Sequence, residues 1–162
     1  MGDIHDPAIG YVNVGRSYET SALRLLLEDA TKTSYLPAFP RRQLFVMAIE
    51  LYLKAYLLLQ DMSESEIRRT FSHKVGAIGS CCRSLGLKIS EEQFEVLTLI
   101  EDTETFTRDR YFMGGIRRGL RDDALQDLAG VLFKAVGQSV ADKRGKKFNL
   151  RGVSPVNKNR GD

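Results

Sequence analysis

Arg108, Arg110, Arg117, Arg118 and Arg121 put five guanidiniums into fourteen residues, with Tyr111 and Phe112 among them and Gly114-Gly115 between the two basic groups. Guanidiniums carry phosphate affinity, an aromatic ring can stack on a base, and paired glycines let a backbone approach an anion closely. Arg108, Arg110, Tyr111, Arg117 and Arg118 are therefore the candidate RNA- or nucleotide-binding residues. A second reading of the segment stays open. Asp109, Asp122 and Asp123 can neutralise several of these arginines, and Arg110 can reach a carboxylate inside a helical core.

Glu50 and Lys54 form the other charged pair with meaningful spacing. On a helix, i and i+4 are neighbours, and Glu on the amino side of Lys is the favourable order. The surrounding residues, Leu44 to Leu59, are otherwise almost all apolar. The pair is thus expected to be partly buried, a structural ion pair that fixes how helices dock. Cys81 and Cys82 are the only cysteines. Adjacent helical positions point about 100° apart, so a bond between them would be badly strained. Both read as free thiols, and with His5 and His73 they lack the spacing of a zinc site. No metal and no other cofactor is expected.

Charge is unevenly spread. The chain of 162 residues carries +3, but residues 143–162 hold seven Lys and Arg against one Asp, so the tail is +6 and the body −3. Only the tail and the arginine segment suggest a polyanionic partner. The opening residues contain Asp3 and Asp6 and no apolar run of the export type. The longest apolar stretch is interrupted by Glu50 and Lys54 and falls short of the roughly 20 residues a membrane span needs. A cytoplasmic protein without membrane contact is the expectation.

The elements that must position these residues are helices. Trp is absent, Pro is scarce and Leu abundant. Residues 1–15 contain Gly10 and Gly15 and read as a lead-in arm. A first helix spans about Ser17 to Thr33, with Ala22, Leu23, Leu26, Leu27 and Ala30 as its apolar stripe. Pro37 and Pro40 break the chain. The second helix, about Arg41 to Gln60, is apolar on nearly its whole circumference and belongs at the bundle centre. Ser63-Glu64-Ser65-Glu66 and Ser90-Glu91-Glu92-Gln93 are capping boxes that open two further helices. Between them a helix runs from about His73 to Leu85 and stops at Gly86. The last long helix runs from Asp122 or Asp123 to about Asp142. The pattern predicts an all-α, up-and-down antiparallel bundle of four long helices plus one or two short ones. The bundle spans 16–142, preceded by an arm over 1–15 and followed by a basic flexible tail over 143–162, with no strand.

The run Ala48-Ile-Glu-Leu-Tyr-Leu-Lys-Ala-Tyr-Leu57 resembles the central helix of the HEPN (higher eukaryotes and prokaryotes nucleotide-binding) family. Ser72-His73-Lys74-Val75 and Arg110-Tyr111 match two further family motifs in order and spacing, over roughly residues 17–142. The resemblance implies a dimeric helix bundle. It implies action on or with RNA or nucleotides in toxin–antitoxin, phage-defence or stress systems. Many members are metal-independent endoribonucleases with an Arg, four to six residues and a His near the last helix. Others are non-catalytic interaction modules, for example partners of minimal nucleotidyltransferases. Here no His follows His73, so the signature is missing near the last helix. Arg68 and His73 alone match its spacing. In a nuclease, His73, with a reference pKa of about 6.5, would take the 2′-hydroxyl proton, and Arg68 would stabilise the pentacoordinate phosphate.

Overall fold

The structure is a computed structural model that describes residues 6–31, 39–102 and 120–154. Six helices make up nearly all of it: α1 (Pro7–Thr31), α2 (Phe39–Leu59), α3 (Glu64–Phe71), α4 (Val75–Ser84), α5 (Glu91–Asp102) and α6 (Asp122–Arg144). A small antiparallel hairpin follows, β1 (Lys147–Asn149) and β2 (Gly152–Ser154), with Phe148 opposite Val153. The fold is an all-α helical bundle with this hairpin appended.

Helix α2 is central, packed against α1, α6 and α4. Phe45, Ile49, Tyr52, Leu53 and Leu57 are fully buried along it. One stripe is less covered, because Leu44, Met47, Leu51 and Lys54 are only half-buried. Helix α6 adds Leu125, Leu128, Leu132, Phe133, Val136 and Val140 to the same core.

Local signals set several ends. Glu66 N–H donates to Ser63 Oγ at 3.2 Å and opens α3. At α5 the box is reciprocal: Gln93 N–H donates to Ser90 Oγ at 3.2 Å, and Ser90 N–H to Gln93 Oε1 at 3.0 Å. After α4, Gly86 at φ 100° turns the chain. Its N–H reaches Arg83 O at 3.1 Å while Leu87 N–H reaches Cys82 O at 3.0 Å. That is a Schellman stop, and its positive φ suits glycine.

Two expectations fail. The first is the lead-in arm, because α1 starts at Pro7, about ten residues before the expected start. Asp6 caps it, with Ala8 N–H donating to Asp6 Oδ1 at 2.9 Å, and Pro7 takes the first helical position, where its missing N–H costs nothing. The buried phase runs through Ala8, Val12, Gly15, Glu19 and Ala22. Gly15 is no breaker; a Cβ there would lie 2.7 Å from the Tyr52 ring, so the missing side chain makes room for that ring of α2 against α1. With this phase Leu27 faces outward at 69% exposure instead of joining the core.

The second is the tail, expected to be flexible and strandless: residues 147–154 form the hairpin, and residues 155–162 lie outside the described residues. Phe148 packs against Phe133 in a tilted arrangement, with 5.0 Å between ring centroids, and fills the space left by Gly137. Asn13 mimics a third strand. Its Nδ2 donates to Val153 O at 3.0 Å, and its Oδ1 accepts from Val153 N–H at 2.9 Å. Arg16 Nε donates to Leu150 O at 2.8 Å. The amino half of α1 and the hairpin thus order each other, and neither is legible without the other.

Candidate functional site

The Glu50 carboxylate is the centre of the one described cluster that joins residues singled out by sequence. Glu50 is 5% exposed on the inner part of α2. One oxygen, Oε1, takes two partners: Lys54 Nζ at 2.5 Å from the same helix and His73 Nδ1 at 2.9 Å from the turn before α4. Burying a carboxylate is costly unless it is paired and hydrogen-bonded, and here both conditions are met. A carboxylate can only accept, so in this contact His73 Nδ1 is the donor. The ring itself is 61% exposed. The imidazole therefore has one nitrogen fixed from inside the bundle and its body at the surface.

The turn that delivers His73 follows from the end of α3. Ser72 takes φ 52° while its N–H still reaches Arg68 O, so the chain reverses within three residues and α4 begins at Val75. Val75 and Ile78 are buried and hold α4 against the core. These contacts fix the depth of the His73 backbone.

Arg68 lies on α3 and is exposed. Among the described residues no hydrogen bond joins it to His73. It contributes positive potential near Tyr11, whose hydroxyl donates to Glu64 Oε1 at 3.0 Å. Burial and the Glu64 hydrogen bond together hold the Tyr11 phenol above its usual range. Tyr11 had no expected role because it fell within the supposed arm, and Glu64 was expected only as part of a capping box.

Arg108, Arg110, Tyr111, Arg117 and Arg118 lie outside the described residues, as does His5. Arg121 is described and is internally paired, with Asp123 at 2.5 and 3.0 Å. Asp122 instead serves α2, accepting from both Arg41 and Arg42. The acidic residues that could have neutralised the arginine segment are thus partly committed elsewhere. Cys82 is buried, with its thiol directed at Leu53 O at 3.4 Å, and burial pushes that thiol well above its usual range. Among the described residues no group of His, Cys, Asp and Glu is placed to hold a metal ion.

No family model, curated protein or solved structure matches the chain. Among the described residues no helix is long and apolar enough to cross a membrane.

Proposed function

We propose that the chain is a HEPN-like helical module that works as a dimer on or with RNA or nucleotides, in a toxin–antitoxin, phage-defence or stress setting. The observation that supports this reading is the shared Glu50 carboxylate. Two segments of the resemblance, Glu50 to Lys54 and Ser72 to Val75, are 23 residues apart between Glu50 and His73, yet they meet on one oxygen. Motif residues that converge in space behave as one unit, which scattered chance matches have no reason to do.

In this reading the module binds RNA and cuts it weakly or not at all. A positioned imidazole can act as a general base, but phosphoryl chemistry also needs a cation held on the developing charge. Arg68 has no hydrogen bond to His73, and the last helix offers no His. Phosphate affinity falls to the arginine segment, Arg108 to Arg118, and to the basic tail.

The test measures RNA binding and cleavage on the full chain without metal, with mass analysis of any ends. Single-stranded RNA should bind at low salt. Replacing Arg117 and Arg118 with Ala should weaken it and lower the log–log salt slope by about 0.7 per lost phosphate contact. A variant ending at Asp142 controls for the tail. Light scattering should give twice 18.2 kDa. No RNA binding by the full chain, or a clean monomer, overturns the proposal. Vigorous cutting lost in both His73→Ala and Arg68→Ala overturns its binding-only part.

A further inference from the structure

A cavity of about 840 Å³ opens beside the first two turns of α1, bordered by Leu51 of α2, Glu64 of α3, the end of α6 and Val153 of β2. Its volume is in the range of sites for small organic ligands. Three features of its wall point the same way.

The first is apolar surface. Ile9, Val14, Leu51 and Val153 line it. Leu51 lies on the least covered stripe of an otherwise buried helix. Val14 is 49% exposed.

The second is Gly10, which also lines the cavity. It sits inside α1 without a positive φ, and a Cβ added to it would meet nothing within 4 Å. Glycine is a poor helix former, and neither backbone geometry nor a packed neighbour requires it here. What its missing side chain provides is bare helix wall, open to close approach by a ligand.

The third is charge. Asp6 answers Arg144 in an ion pair. Glu64 is exposed to water and takes the Tyr11 hydroxyl. Lys146 is half-buried on the same wall and has no carboxylate partner among the described residues. Among the described residues of this wall, the half-buried charge without an ion-pair partner is the Lys146 ammonium.

We propose that this cavity binds a small anionic amphiphile, an apolar body with one acidic group, with its body against Gly10, Val14 and Leu51 and its acid on Lys146. This goes beyond the RNA-linked reading and does not depend on it. The experiment is calorimetric titration of the full chain with 1-anilinonaphthalene-8-sulfonate and with its uncharged counterpart, N-phenyl-1-naphthylamine. The sulfonate should bind one per chain. Gly10→Leu should weaken both probes while the thermal midpoint holds or rises. Lys146→Glu should weaken the sulfonate about tenfold or more, the scale of a lost charge-assisted contact, and leave the neutral probe unchanged. Absence of stoichiometric sulfonate binding overturns the proposal, as does equal loss of both probes in Lys146→Glu. Sulfonate binding unaltered in a folded Gly10→Leu overturns it too.

Discussion

His73 Nδ1 and Glu50 Oε1 lie 2.9 Å apart, a surface imidazole held by a carboxylate inside the bundle. The same oxygen holds Lys54, so the acid has two donors and neither donor is its sole support.

That sharing sets the cost of breaking the cluster. Lys54→Ala leaves Glu50 buried with His73 still attached, and should destabilise by about 1–3 kcal/mol, less than the rupture of an isolated buried pair. The double variant with His73→Ala should cost more than the two single changes added, because only then is the carboxylate stranded. Denaturant melts of the four proteins give the coupling. Strict additivity would mean that the carboxylate is solvated, contrary to its burial.

Leu51 and Leu53 are two residues apart on α2 and should respond differently. Leu53 is fully buried, and Leu53→Ala should cost about 2–5 kcal/mol. Leu51 is half-buried on the cavity wall, so Leu51→Ala should cost about half as much or less, since part of its side chain is already uncovered. Equal costs would place Leu51 in the core.

The hairpin should depend on one amide side chain. Asn13→Ala removes both partners of Val153, leaving a carbonyl and an N–H of a buried residue unanswered, at about 1–3 kcal/mol. Hydrogen exchange at Val153 should speed up well before exchange in α2 does. Gly152→Ala should act in the same direction, because φ is 127° there and the new methyl would collide with Asn13 Oδ1.

Alkaline pH should reveal Tyr52. Its hydroxyl donates to buried Glu19 at 2.6 Å. Burial first, and then this bond, raise its pKa far above the ordinary 10.0. The unfolded chain loses that proton near pH 10 and the folded chain does not, so above pH 10 the unfolded state binds fewer protons and stability falls as pH rises. The contribution is complete below pH 10. Tyr52→Phe should lower stability at neutral pH, because Glu19 loses a donor, and should flatten the fall between pH 10 and 11. Cys82 adds a fall of the same sign from about its ordinary value of 9.0, so Cys82→Ala should flatten the earlier part of the curve. Stability measured against pH for the three proteins checks both.

What the sequence determined by itself is what lies within one or two helical turns. Ser63 and Ser90 mark their helix starts because the donors they satisfy are three residues on, and Gly86 marks a stop because a left-handed turn favours glycine at that one position. The encircling apolar character of α2 placed it at the centre, since no polar face remained to meet water. The i, i+4 spacing put Glu50 beside Lys54. Tertiary structure decided everything whose partner lies far along the chain. Val153 is 140 residues from Asn13, and without it residues 7–15 carry no visible reason to be helical. Tyr52 gives Gly15 its purpose, which read alone looks like a breaker. Glu50 had one partner in the sequence and gained a second, His73, only when α3 and α4 folded back onto α2. The cavity beside Gly10 has no sequence signature at all, because it is defined by space that five separate elements leave unfilled. Local geometry is encoded in the residues that adopt it, whereas the choice among distant partners is made by packing the whole core at once.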